Sequence, residues 1–471
     1  MSTLTTILQV ALLIFVVVMI FNVIIFTHEL GHFLAARWRG LQVDRFQIWF
    51  GKPVWKKTIN GVQYGLGWLP FGGFVALPQM APMEAIEGGN STDKPLPPIK
   101  PLDKIIVAFA GPLFSMLLAL LAGVIVWGVG KPKDFIPTTE VGFVAPGSPA
   151  EKAGLKPGDK ILAVNDQPVN GFMGPLDSIF ARIILSRGNQ IRFTIQRPGV
   201  TEPLQVTSEF EIEESKWFQR RGMRDVGLYE ARRAVIDSIS PNSPAADAGL
   251  AKGDEIIAVD GMPLHSPIQF SQYLKDQKWK TIAVTVKGAA GATREVSLTP
   301  ERPLKPEKLD PMVGFMWNRE IGVDKTIVYP RPLTQVAESL SMMWTTITSV
   351  VARDSSIGID HLSGPVGIAK HQYALLKTEY AWQRILAFMV LFNVNLAVLN
   401  MLPFPVLDGG HITLAIMEQI ARRPVKARIL EAVQTAFALL LMSLMIYVTT
   451  KDIGDGVGRG SSSSEEVVFP P

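Results

Sequence analysis

The chain has 471 residues, 48% of them hydrophobic, and a mean hydropathy of +0.23, so it is long enough for several domains and more apolar than an ordinary soluble enzyme. Its formal charge of +4 is spread over many segments, with no run of Lys and Arg interleaved with aromatics, which sets nucleic acid aside as a partner. It has no cysteine, which excludes disulfides, cysteine-type zinc sites and thiol nucleophiles.

From Met1 to Thr27 no side chain carries a formal charge, and at about 1.5 Å per helical residue the run can cross a hydrocarbon core of about 30 Å. A cleaved signal peptide would want a basic n-region and a small-residue cleavage site, whereas this run ends in HELGHFLAARWRG. A transmembrane helix is therefore expected. Three more spans are expected at about 105–129, 385–402 and 429–449. Basic residues resist translocation. Arg37, Arg39, Arg45, Lys52, Lys56 and Lys57 after span one, and Arg422, Arg423, Lys426 and Arg428 before span four, put both of those segments in the cytoplasm. Both termini and the long middle segment are then outside.

Residues 62–77 (VQYGLGWLPFGGFVAL) mix aromatics, β-branched residues and glycines, and read as a hairpin or loop dipping into the membrane. In the middle segment, GSPAEKAGLKPGDKILAVNDQPV from Gly147 recurs as NSPAADAGLAKGDEIIAVDGMPL from Asn242. Ser148 matches Ser243, Gly154 matches Gly249 and Asp159 matches Asp254, an offset of 95 residues. In each copy a short helix, a glycine turn and an alternating strand follow one another, a pattern similar to the core of a PDZ domain. Residues 333–352 are apolar, but Glu338 and the many Ser and Thr predict an interfacial or domain-packing helix rather than a fifth span. The end, GRGSSSSEEVVFPP, has the low complexity of a tag or disordered tail.

The expected architecture is a polytopic α-helical membrane protein: four transmembrane helices, a membrane-associated β-hairpin region, and two tandem PDZ-like α+β domains between helices two and three. The divisions are residues 1–34 (helix one), 35–101 (cytoplasmic, membrane-dipping hairpin loop), 102–130 (helix two), 131–225 and 226–310 (PDZ-like domains) and 311–380 (periplasmic interfacial helical segment). Residues 381–410 (helix three), 411–428 (cytoplasmic loop), 429–450 (helix four) and 451–471 (tail or tag) complete the chain.

The chemistry concentrates in THELGH, residues 27–32. On a helix His28 and His32 lie one above the other on one face, where two imidazoles reach one Zn²⁺, and Glu29 stands beside them to take a proton from a metal-activated water. Metal coordination lowers the pKa of such a water to about 7 and polarises a scissile carbonyl, so the reaction class is peptide hydrolysis. A catalytic zinc site generally has three protein ligands. The third must come from a span ending at the same depth. Span three ends in LNMLPFPVLDGGH, where Asp408 and His411 emerge on the side to which span one delivers His28 and His32. Spacing alone does not choose between Asp408 and His411.

HELGH after span one, NMLPFPVLDGG after span three and a tandem PDZ-like pair between spans two and three together resemble the site-2 protease family of intramembrane zinc metalloproteases. The resemblance covers nearly the whole chain apart from its tail. It implies His28, His32 and Asp408 as zinc ligands, Glu29 as general base, and Asn395 and Asn400 as substrate-handling residues. It further implies cleavage within single-span membrane proteins whose outer domain an upstream site-1 protease has trimmed, such as an anti-sigma factor in envelope stress signalling, and of remnant signal peptides. The setting it implies is a bacterial inner membrane and its lipid, with periplasmic PDZ domains acting as a size filter. Two rival readings are a non-catalytic PDZ scaffold or chaperone binding exposed C-termini, and a metal-binding transporter. The transporter is disfavoured by the lack of a visible inverted repeat.

Overall fold

The computed structural model describes residues 3–80, 99–288, 291–305, 310–422, 427–458 and 468–469. Arg423 and Lys426, two of the charges that orient the chain, and most of the tail lie outside the described residues. The chain divides into two compact units, and each is built as follows.

The first unit comprises Met1–Pro132, Ile327–Thr346 and Ser363–Thr450. Its long helices are α1 (Thr3–Arg39), α2 (Pro101–Val129), most of α3 (Pro332–Val351), α4 (Pro365–Leu376), α5 (Ala381–Asn400), α6 (Asp408–Ala421) and the greater part of α7 (Ala427–Gly458). Among the described residues four stretches are long and apolar enough to cross a membrane: Ile7–Arg39, Pro101–Val129, Ala381–Asn400 and Ile429–Asp455. The α3 helix is not one of them. Its Gln335 is buried and donates to the carbonyls of Gly123 and Pro330 at 3.0 and 2.9 Å, as a packing helix would.

Central to this unit is α2, which packs against α1, α5 and α6. Its buried face is a run of small residues, Ala108, Ala110, Gly111, Ser115, Ala119, Ala122 and Gly123. Lipid tails are as apolar as leucine, so membrane helices associate through close backbone packing rather than hydrophobic burial, and small residues permit it. A Cβ at Gly31 of α1 would overlap the Ala110 carbonyl oxygen, which fixes how near the two helices lie.

Between α1 and α2 lies a small sheet, β1 (Arg45–Ile59) against β2 (Val62–Ala76). The hairpin is therefore longer than the 62–77 expected. Sharp bends subdivide both strands, because Trp49, Gly51 and Gly72 all adopt positive φ. Arg45–Ile48 pairs antiparallel with Gly73–Ala76, and also pairs with Gln63–Leu66. A strand has two hydrogen-bonding edges, so these partners flank it, and Gly73–Ala76 is left with an outer edge that no other described strand covers.

The second unit comprises Lys133–Thr326, Ile347–Leu362 and Lys451–Pro471, and holds the two copies of the repeat. The first copy orders its strands Gln167–Pro168, Lys160–Val164, Ile191–Gln196, Leu204–Ser208. The second orders Thr293–Leu298, Ile282–Lys287, Glu255–Val259, Ala234–Ile239, Phe315–Trp317, with Met262–Pro263 beside Glu255–Val259. Matched residues do matched work. Ser148 and Ser243 cap short helices by accepting from Glu151 and Ala246 N–H, each at 3.3 Å. Gly154 and Gly249 follow those helices at φ +84 and +68, where a Cβ is unfavourable. Asp159 and Asp254 are buried and bonded by Arg197 and Arg294, and the strands after them carry the same register shift, at Ile161/Ala163 and Ile256/Ala258.

Several boundaries move. The first core includes Val226 and Leu228, past 225, because Leu228–Glu230 pairs with Val141–Val144 to close it. The second includes Val313 and reaches Phe315–Trp317, past 310, for the same reason. The segment 311–380 is thus part strand: Ile327–Val328 also pairs with Lys131–Pro132. Where 411–428 was expected as loop, α6 runs to Ala421, and α7 carries helix through 451–458 of the expected tail. Near the end, Val468 N–H donates to the Lys305 carbonyl at 2.9 Å and Phe469 is buried beside Gly314, so these two residues are docked on the second copy rather than free.

Candidate active site

The last turns of α1 carry His28, Glu29 and His32. The helix-to-helix turn 401–407, with its prolines at 403 and 405, ends α5 and starts α6 at Asp408. Asp408 thus belongs to the first turn of a separate helix, not to the end of span three as the sequence suggested. Gly409 and Gly410 let this helix start lie against the turn, since a Cβ on either would overlap backbone oxygens of Met401 or Phe404.

Three donors converge. His28 Nε2 lies 3.3 Å from Asp408 Oδ2, His32 Nε2 lies 3.4 Å from Asp408 Oδ1, and the two Nε2 atoms are 3.3 Å apart. Among the described residues this is the one group of three whose ligand atoms could share a metal ion. The other ring nitrogens set the tautomers. His32 Nδ1 donates to the Val107 carbonyl at 2.8 Å, which leaves its Nε2 with a free lone pair, and His28 Nδ1 is bonded to Ser115 Oγ at 3.0 Å.

Does zinc fit this donor set? Ligands at about 2.0–2.1 Å in a tetrahedron stand about 3.3–3.4 Å from one another, the spacing observed. Two imidazoles and a carboxylate are also the hard-to-borderline donors zinc accepts, and Asp408 Oδ2 is buried with no hydrogen-bond partner. A second tier orients the rings, as metal-ligating histidines require. It consists of Ser115 and the Val107 carbonyl, both on α2.

These groups line a cavity of ≈ 190 Å³ together with Glu29, Val75, Leu77, Asn400, Val406, Leu407 and His411. The Glu29 carboxylate accepts from the Val75 backbone N–H, so the base candidate is tied to the strand with the open edge. Asn400 Nδ2 stands 3.3 Å from His28 Nε2. Asn395 does not line the cavity, and its buried Oδ1 lacks a partner. His411 lines the cavity wall but is not one of the three residues whose ligand atoms converge. Sequence reasoning missed Ser115 and Gly111. A Cβ at Gly111 would overlap His32 Nε2 and stand 2.9 Å from His28 Nε2. The signal that could have found them was AGPLFS at 110–115, small and polar residues inside an apolar span.

Membrane-length helices that bring a His-His-Asp donor set and a neighbouring glutamate into one cavity define a metallopeptidase of the membrane. The chain belongs to peptidase family M50, whose pattern matches residues 15–444, and is a zinc metalloprotease of the site-2 type. The regulator of sigma-E protease RseP of Salmonella typhimurium is 27% identical over 446 residues, covering 90% of this chain and 94% of the relative. RseP of Escherichia coli K12 is 28% identical over 453 residues, covering 90% and 94%. A solved PDZ domain of the SdrC-like protein from Listeria monocytogenes, at 23% identity and a TM-score of 0.17, covers 19% of this chain and 88% of its own.

Proposed function

We propose that this protein cleaves peptide bonds within the membrane segments of single-span proteins, with His28, His32 and Asp408 holding zinc and Glu29 acting as general base. The observation that carries the reading is the 3.3–3.4 Å triangle of two imidazole nitrogens and a carboxylate beside a glutamate, in helices of membrane length. When bound, zinc supplies Lewis acidity that polarises the scissile carbonyl and makes water a nucleophile at neutral pH.

The chain's own residues do the rest. Glu29 takes the proton of the attacking water and passes it to the leaving amine, and its bond to Val75 N–H keeps its carboxylate aimed into the cavity. A helical substrate shields its amides, so it must be drawn out as a strand first. The open edge of Gly73–Ala76, alongside Glu29, offers backbone partners for that strand. Asn400, whose amide reaches the donor group, handles the substrate beside the scissile bond; Asn395, on the same helix but not lining the cavity, is the second asparagine read for that role.

The two repeat units are read as tandem PDZ-like domains, which in the periplasm would keep untrimmed outer domains from the site until an upstream protease has acted. The substrate class is then a trimmed single-span protein such as an anti-sigma factor, with remnant signal peptides as a second class; relatives named regulator of sigma-E protease support the reading. The site lies toward the cytoplasmic face of a bacterial inner membrane, with both termini outside.

The test is Glu29→Gln, purified in detergent and compared with wild type for bound zinc and for cleavage of a single-span substrate. Both should bind zinc alike, and only the wild type should cleave, reversibly stopped by chelator. Cleavage by Glu29→Gln at the wild-type rate would overturn the assignment.

A further inference from the structure

The last turns of α7, Lys451–Gly458, belong to the second unit, and a loop of the first repeat copy, residues 213–223, is fastened to them. Lys451 Nζ donates to the carbonyls of Trp217 at 2.6 Å and Gln219 at 2.9 Å. Arg220 sits between two carboxylates. It pairs with Asp455 Oδ2 at 2.6 Å through Nη1, with Asp452 through Nη2, and its backbone N–H donates to Asp455 Oδ1 at 3.0 Å. Further bonds reach the carbonyls of Asp360 and Leu362, each at 3.2 Å.

The depth of this loop follows from the helix. The apolar stretch begins at Ile429, and the 22 steps from there to Lys451 span roughly 33 Å at about 1.5 Å each, against a hydrocarbon core of about 30 Å. Lys451 therefore emerges at the lipid–water boundary, and the backbone of Trp217, bonded to it, is held at the same level. The Trp217 side chain is 81% exposed, and its indole meets Phe218 edge-on at 5.6 Å. Lys216 and Arg221 flank it, both exposed. Tryptophan concentrates at membrane interfaces because its ring is apolar and its N–H polar, and basic side chains there meet phosphate. An indole left in water by a loop with five bonds to a membrane-crossing helix is otherwise without a use.

We propose that the loop 213–223 is a lipid-docking element, which seats Trp217 in the headgroup region of the membrane at the far end of α7. Its partner is the phospholipid surface, with Lys216 and Arg221 against the phosphates. The proposal does not depend on the peptidase mechanism, because it rests on the helix and loop alone.

The chain has no cysteine, so a single nitroxide can be placed by Trp217→Cys in full-length protein reconstituted into phosphatidylethanolamine–phosphatidylglycerol vesicles. Accessibility to oxygen and to a water-soluble nickel chelate is then compared with Val200→Cys, in an exposed turn of the same copy. Position 217 should favour oxygen over the chelate several-fold more than position 200, and equal ratios would overturn the proposal. If the labelled variant does not fold, quenching of native tryptophan by brominated lipid decides: Trp217→Phe should be quenched less than wild type, and identical quenching refutes the docking.

Discussion

Gly111→Ala tests the site at its most constrained point. The new Cβ would overlap His32 Nε2, stand 2.5 Å from its Cε1, and stand 2.9 Å from His28 Nε2. Neither partner can yield cheaply. His32 is pinned by its bond to the Val107 carbonyl, and α1 is already in backbone contact with α2 at Gly31. Overpacking of this kind costs about 1–3 kcal/mol. Expressed as a coupling between the α2 surface and the metal, that is roughly 5- to 150-fold in affinity, which overlaps the about 10–100-fold seen when ligand-orienting partners are changed. The assay is zinc affinity by competition with a chromogenic chelator, alongside cleavage of a single-span substrate. Gly128→Ala on the same helix is the control, since a Cβ there meets nothing within 4 Å. Wild-type zinc affinity and turnover in Gly111→Ala would refute the claim that α2 sets the spacing of the donors.

Val75→Pro removes the N–H that holds Glu29 and interrupts the open strand edge, so cleavage should fall at least tenfold by comparison with general-base contributions of about 10²–10⁴-fold. Zinc content should stay at the wild-type level and Val75→Ala should cleave normally; unimpaired cleavage by the proline variant would dismiss the edge. In the repeat copies, Arg197→Met should lower the melting temperature more than Arg294→Met. Both strand a buried aspartate, but the Arg197 side chain is 25% exposed and that of Arg294 48%, so water replaces the second partner more readily. Equal shifts in calorimetry would contradict this. Tyr273, pushed up to about 12 by its bond to Asp260 and by burial, binds its proton more tightly folded than unfolded. Its contribution is whole below the unfolded value of about 10 and is lost as pH rises toward 12, so Tyr273→Phe should flatten the fall in melting temperature over that window.

What sequence could reveal depended on whether a residue's role was local. Hydropathy found four spans because length and apolarity are properties of a segment, and the i, i+4 spacing of His28 and His32 is fixed by helix geometry alone. The repeat was legible for the same reason: Ser148, Gly154 and Asp159 each act within a few residues of themselves. The sheet was only half seen: residues 35–101 were read as a cytoplasmic, membrane-dipping hairpin loop with its strand signal at 62–77, while the pairing of Arg45–Ile59, which carries Lys52, Lys56 and Lys57, with Val62–Ala76 depends on bends at Trp49 and Gly51. Likewise, nothing local marks Asp408 as the start of a new helix, and nothing marks Ser115 as a partner of a histidine 87 positions away.

The site is therefore set by backbone approach rather than by loops. At Gly31 α1 touches α2; at Gly111 α2 makes room for both imidazoles; at Gly409 and Gly410 the start of α6 folds against the turn that ends α5. Each contact places one wall of the cavity, and each leaves no space for a methyl group. Donors carried on packed helices keep their geometry better than donors on loops, and here two imidazole nitrogens stand 3.3 Å apart beside a carboxylate oxygen buried without a hydrogen-bond partner, an arrangement costly to hold unless a ligand completes it. On the proposed assignment, bound zinc would offset that cost. The same packing brings the Val75 N–H to Glu29, so the strand that would hold an unwound substrate and the base that would act on it are positioned by one bond.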